Sequence, residues 1–178
     1  MSEFTHLDSD GKPRMVDVGE KPVTQRRAVA EAVLLTGKGV MAAVREGKTP
    51  KGNVFETARL AGIMAAKRTA DLIPLCHSLA LDHATVDFEP GEDRIRIVAT
   101  ASTRASTGVE MEALTAAAVA GLTLYDMLKA LTHTMVLQRV RLLSKSGGRS
   151  GEYNAPESNQ SEPRAQASGP KDGGEGAS

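Results

Sequence analysis

The feature that most limits the fold is a change of hydrophobic period that recurs between residues 26 and 143. Residues 85 to 89 and 94 to 99 alternate apolar and polar side chains, the period of a half-buried strand. Pro90-Gly91-Glu92-Asp93 between them supplies a turn, so the two read as a hairpin. Residues 109 to about 131 then keep helical spacing, and residues 136 to 143 alternate again as a last strand. Upstream, Asn53 followed by Glu56 has the form of a capping box. It opens a helix that runs through Arg59, Ile63 and Lys67 and must end before Pro74, because proline pushes its predecessor out of the helical region. A shorter helix is expected over residues 38 to 45, stopped by Gly47. Residues 26 to 35 stay ambiguous: the alanines favour helix, whereas Val29, Glu31, Val33 and Leu35 alternate as in a strand.

If that segment is a strand, the order is β-α-α-β-β-α-β. With the two helices counted as one crossover, this is the split βαβ, or ferredoxin-like, arrangement. The expectation is an α+β protein, an antiparallel sheet with helices on one face. The other face would need cover, and a partner subunit is the natural cover. The architecture hosts many functions, so it says nothing about chemistry.

The chain of 178 residues suggests one domain. Residues 25 to 151 would form it. Residues 1 to 24 are polar and read as a loosely ordered arm, pinned at Met15-Val16-Asp17-Val18. Residues 152 to 178 are rich in Gly, Ser, Pro, Glu and Gln and read as a disordered tail, with too little apolar surface to offset ordering entropy. The 22 basic and 22 acidic residues argue against a broad cationic field for nucleic acid. Three Phe, two Tyr and no Trp argue against base-stacking platforms. With a single cysteine, Cys76, no intrachain disulfide can form. Neither a secretion signal nor a membrane-spanning run is recognisable, so a cytoplasmic protein is expected.

Several segments carry candidate chemistry. Asp71-Leu72-Ile73-Pro74-Leu75-Cys76-His77 leaves a helix through a proline bend. His77 there is either a structural histidine with satisfied nitrogens or a proton carrier. Cys76 and His77 are neighbours on an extended chain and point to opposite faces, so a Cys–His nucleophilic pair is not expected, and Cys76 reads as packing. Glu110 and Glu112 near a helix start are ordinary complements of the helix dipole or members of a site. Asp126 and Lys129 can touch at i,i+3: a surface ion pair in one reading, an acid–base pair on an apolar helix in the other. Lys51, Lys67, Arg68 and Lys145 are singly solvated charges. Residues 144 to 151, Gly- and Ser-rich with cations, either wrap a phosphate or form a flexible exit. His6, His77, His83 and His133 are scattered without metal-ligand spacing.

Taken together, seven words resemble the molybdenum-cofactor biosynthesis protein C family, the cyclic pyranopterin monophosphate synthases. They are Met15-Val16-Asp17-Val18, Lys51-Gly52-Asn53-Val54-Phe55, Ala65-Ala66-Lys67-Arg68-Thr69, the 71–77 segment, Thr107-Gly108-Val109-Glu110-Met111-Glu112-Ala113-Leu114-Thr115, Tyr125-Asp126-Met127 and Lys145-Ser146-Gly147-Gly148. The resemblance implies a lyase in which a 3′,8-cyclised dihydro-GTP loses diphosphate and becomes cyclic pyranopterin monophosphate. It implies no redox cofactor, leaves Mg²⁺ with the triphosphate open, and implies a homohexamer built as a trimer of dimers. It makes Asp126 the catalytic carboxylate and Leu75, Cys76, His77, Met111 and Glu112 substrate contacts. Lys51, Lys67, Glu110, Lys129 and Lys145 fall on further pocket positions. Lys51, Lys67 and Lys145 suit phosphates; Asp126, Lys129, Lys51 and His77 suit proton movement. The competing reading is a non-catalytic ferredoxin-like module that binds a nucleotide and regulates a partner; turnover of bound substrate separates the two. Glu112 and Asp126, 14 residues apart on one expected helix, would lie within about 40° of one face but about 21 Å apart. The expectation is therefore a site at a dimer interface, with the two carboxylates supplied by different chains.

Overall fold

The structure, a computed structural model, describes residues 10–149 and 151–156. Its elements are β1 (Thr24–Leu35), α1 (Lys38–Arg45), α2 (Val54–Lys67), α3 (Thr69–Leu72), β2 (His83–Pro90), β3 (Arg94–Ala105), α4 (Glu110–Leu128), β4 (Val136–Ser146) and β5 (Tyr153–Asn154). The strands form one sheet in the order β2-β3-β1-β4-β5, with every neighbouring pair antiparallel. The first four strands have the split βαβ topology, and α2 and α4 pack on one face.

The ambiguous segment is a strand of 12 residues, β1. Alanine is a weak strand former, but Ala28, Ala30, Ala32 and Leu34 all point at α4 and are at most 1% exposed. Small side chains at the centre of the sheet let the helix lie close. The same economy runs between the helices. Gly62 of α2 faces Ala116 and Ala120 of α4, and an added Cβ there would sit 2.8 Å from Val86 Cγ2 and 2.9 Å from the Ala116 carbonyl. A core with so few aromatics works because its layers approach closely. Larger side chains, Leu34, Ile95, Ile97, Leu124 and Leu128, are fully buried around this seam. Each contributes about 1.5–3 kcal/mol, against about 0–1 kcal/mol for an exposed ion pair, so the sheet–helix interface holds the fold.

Helix boundaries follow local chemistry. The Asn53 side chain accepts a hydrogen bond from the Glu56 amide at 3.2 Å and caps α2. α4 is long and apolar enough in composition to cross a membrane, but most of its apolar residues, Ala113, Ala116, Ala117, Ala120, Leu124 and Leu128 among them, are buried in the core against the sheet and α2.

Strand β4 departs from simple alternation. Its pairing with β1 shifts register twice, and Arg139 takes a left-handed φ of 58°. Gln138 pairs with Val33 and Arg141 with Glu31, so two β4 residues oppose Ala32 alone. This extra residue turns Arg141 to the outer face. A second one, Leu143, lies between Leu142 opposite Ala30 and Ser144 opposite Val29, and turns Lys145 back to the helix side.

The outer face of the sheet is not a bare apolar surface awaiting a partner. Glu31, whose side chain is 5% exposed, accepts from Arg96 Nε at 2.6 Å and from Arg141 Nε at 2.7 Å. Burial by itself raises the Glu31 carboxyl, but the hydrogen bonds and charges of the two arginines outweigh it and hold the carboxyl below the usual range.

The domain boundary expected at residue 151 is too early. Tyr153 and Asn154 pair with Lys145 and Ser144, and the Ala155 amide donates to the Leu143 carbonyl at 2.7 Å. Residues 153 to 155 reach the sheet because Gly147, Gly148 and Gly151 take positive φ and turn the chain back. The rest of the expected tail, 157–178, lies outside the described residues, as do residues 1–9 of the expected arm.

Candidate functional site

Two groups of chemistry-bearing side chains form, one at each end of α4. At its N-terminal end is a cleft of about 420 Å³. The segment after α3 supplies Leu75, Cys76, His77 and Leu79; the turn into α4 supplies Thr107, Gly108, Glu110, Met111 and Glu112; the N-terminal arm supplies Val16, Val18 and Lys21. The arm is pinned where the sequence suggested: the carbonyl of Val16 lies 2.8 Å from His77 Nε2. A carbonyl can only accept, so the ring proton sits on Nε2, and in neutral His77 the lone pair is on Nδ1.

Glu112 is 4% exposed. Burial raises its carboxyl above the ordinary range, and the neighbouring Glu110 charge adds to this. Cys76 is half-buried and lines the cleft rather than the core. Burial, then the Glu112 charge, pushes its thiol up, so at neutral pH it is a protonated, weak nucleophile. Glu110 is held by Lys145 Nζ at 3.2 Å, a contact made by the second register shift of β4.

At the C-terminal end of α4, Asp126 binds Lys51 Nζ at 2.6 Å through Oδ2 and Lys129 Nζ at 2.7 Å through Oδ1. The apolar surroundings expected for this pair are absent: the three side chains are 41 to 52% exposed. The hydrogen bond from Lys129, then that from Lys51, takes the Asp126 carboxyl down to about 2, and Asp126 in turn raises the Lys129 ammonium. Lys51 was expected near phosphates or protons; its partner across 75 residues was not legible in the sequence.

Lys67 is exposed at the last turn of α2 and lines neither group. Residues 144–146, expected in a loop, belong to β4. The Gly147-Gly148 pair that follows packs on an arginine: a Cβ on Gly148 would overlap the Arg26 guanidinium. Arg26, Lys21, Val16 and Val18 were not singled out as site residues by sequence reasoning, although the arm's motif held two of them. Among the described residues no three His, Cys, Asp or Glu side chains gather to hold a metal ion.

α4 is one unbroken helix from Glu110 to Leu128. A bend at residues 108 to 112 that would bring Glu112 toward Asp126 is therefore not the solution, and within one chain the two groups stand about 21 Å apart along the axis.

Comparison with known proteins bears on these two groups. A profile described as the MoaC family matches residues 15–148. A protein of Chloroflexus aurantiacus named cyclic pyranopterin monophosphate synthase is 53% identical over 157 residues, 87% of this chain and 96% of that protein. A protein of that name from Novosphingobium aromaticivorans is 54% identical, over 88% of this chain and its own full length. One from Nostoc is 52% identical, over 87% of this chain and 94% of its own. The matched stretch runs from the arm that holds His77, through both ends of α4, to the turn over Arg26, and the chain belongs to the MoaC family.

Proposed function

We propose that this chain is a cyclic pyranopterin monophosphate synthase, a lyase of molybdenum-cofactor biosynthesis. The observation that carries the reading is the identity of 52 to 54% with proteins of that name along nearly their whole length. Its substrate is a cyclised dihydro-GTP, which loses diphosphate as the purine opens, recloses as a pterin and forms a cyclic phosphate. The atoms of the product and diphosphate account for those of the substrate. A non-catalytic nucleotide-binding module is not favoured, since an acid–base cluster richer than binding requires accompanies the family match.

The chain acts in the cytoplasm, as a hexamer built from dimers. In each dimer the cleft of one chain, with Glu112 and His77, meets the Lys51–Asp126–Lys129 group of the other. The 21 Å between the ends of α4 supports this. So does the exposure of the lysine–aspartate group: with a pKa near 2, Asp126 is too weak a base in open solvent, and desolvation under a partner would raise it toward a useful range. His77 offers Nδ1 to the substrate, Asp126 and Lys129 exchange protons with the opening purine, and Lys51 holds Asp126 in place or shares its task. Incubating the protein with the cyclised GTP intermediate should release diphosphate and a pterin in equal amounts. A folded, assembled protein that releases neither would refute the assignment.

A further inference from the structure

Strand β4 brings Lys145 to Glu110 only through its second register shift, which leaves Leu143 as an extra residue between the partners of Ala30 and Val29. A bulge disrupts the ladder locally, and the facing of the residues after it then depends on what else holds them. The chain beyond the glycine turn supplies that hold. Tyr153 pairs with Lys145 and Asn154 with Ser144. The Ala155 amide donates to the carbonyl of Leu143, the extra residue itself, at 2.7 Å. The Pro156 carbonyl accepts from Arg141 Nη1 at 3.5 Å, and Arg141 Nε donates to Glu31 at 2.7 Å. Residues 153–156 therefore grip the bulged stretch at both its ends, Arg141 and Lys145.

This grip bears on the candidate site. Tyr153, Ala155 and Pro156 share an open cleft of about 510 Å³ with Lys145 and Glu110, and Glu110 also lines the first cleft. With residues 153–156 taken away, the backbone of Lys145 keeps only its pairing with Ala28 on β1. A lysine ammonium rides on a flexible four-carbon stem, so its place in a site is no firmer than the backbone beneath it.

We infer that residues 153–156 are a positioning strap for the site: they lock the second bulge of β4 so that Lys145 stays turned to Glu110 and the first cleft. The strap acts through Lys145 and not on the substrate itself. Its bearing on turnover rests on the proposed synthase reading, whereas its placing of Lys145 does not. The stretch that composition assigns to a tail is thereby divided, with its first residues serving the site.

The test joins steady-state turnover to a chemical ruler of the Lys145–Glu110 contact. A water-soluble carbodiimide couples a carboxylate to an amine only where the two touch, and the resulting link between Glu110 and Lys145 is read by peptide mass spectrometry. Ala155→Pro removes the amide proton given to Leu143 and is compatible with an edge strand. One lost hydrogen bond shifts the balance between attached and detached strap by about 5-fold. The cross-link yield should therefore fall, and kcat/KM should drop about 10-fold, in a protein that remains folded and assembled. A chain ending at residue 151 should lose more of both, and a chain ending at residue 158 should lose neither. Wild-type cross-linking and turnover in Ala155→Pro and in the chain ending at 151 overturn the strap. Lost turnover with the cross-link unchanged overturns the route through Lys145. A lost cross-link with turnover unchanged overturns the bearing of the strap on the site. Loss of both in the chain ending at 158 overturns the assignment to residues 153–156. If the chain ending at 151 does not fold, Ala155→Pro carries the test. A wild-type protein that turns over no substrate refutes the synthase reading, while the cross-link still decides whether the strap places Lys145.

Discussion

Glu112 at the start of α4 and Asp126 near its end carry the same functional group in opposite surroundings. Glu112 is buried, faces another carboxylate in Glu110 and is pushed up. Asp126 is open to solvent, lies between two ammonium groups and is pulled down to about 2. Desolvation dominates one end of the helix and ion pairing the other. Two carboxylates whose environments drive them apart are what acid–base chemistry needs, provided they can meet on one substrate. Within one chain they stand at opposite ends of α4, and the proposed dimer site would bring them together.

The comparison can be broken most severely at its exposed end. Asp126→Ala should lower kcat by about 10³-fold or more, with the chain still folded because no core contact of the single chain is lost. Turnover near the wild-type rate in a folded variant removes Asp126 from the chemistry. Mixing Glu112→Ala with Asp126→Ala asks whether the two ends meet between chains. With free subunit exchange, half the dimers are mixed and each regains one of two sites, so about a quarter of the activity should return. Exchange proved by mass labelling with no recovered activity rules out the shared site.

Smaller effects sharpen the electrostatic contrast. Glu31, unlike Glu112, is a buried carboxylate matched by two arginines. Glu31→Gln should destabilise the protein by about 2 kcal/mol near neutral pH in denaturant melts. Because its folded pKa is depressed, the wild-type advantage is present above the ordinary carboxyl range and fades as pH falls through the lowered value. Glu112→Gln should do the reverse. Its folded pKa is raised, so the stability it contributes is full below the unfolded value of 4.5 and is lost as pH rises through the folded one. Near pH 7.5 the glutamine variant should melt about 2–4 °C higher than wild type, with no gain below pH 4.5, while turnover falls. A variant that melts lower at pH 7.5 would show that Glu112 is satisfied by groups other than those described.

Much of the local structure was legible before any coordinates. Helix α1 runs over the expected residues 38 to 45, and the Asn53 cap starts α2. Glycine, proline and capping side chains act on their immediate neighbours, so their effects survive in the linear chain. Strand β1 was undecidable because alanine serves either geometry; its burial against α4 chose the strand. The boundary at 151 failed because two residues, Tyr153 and Asn154, are too few to show a period, yet find a free edge at β4.

The sequence by itself determined the hairpin, the helices on either side of it, the family and which acid–base residue types recur at its motifs, because periodicity and motif spacing are properties of the chain. Which side chains touch was decided only by the tertiary structure. Lys51 reaches Asp126 across the fold. Val16 sets the tautomer of His77. Two single-residue register shifts turn Arg141 toward Glu31 and Lys145 toward Glu110, on opposite faces of one sheet. A register shift reverses the facing of every residue after it, and its trace in the sequence is a break in alternation, with Leu137 and Leu142 both packed on the core although five residues apart.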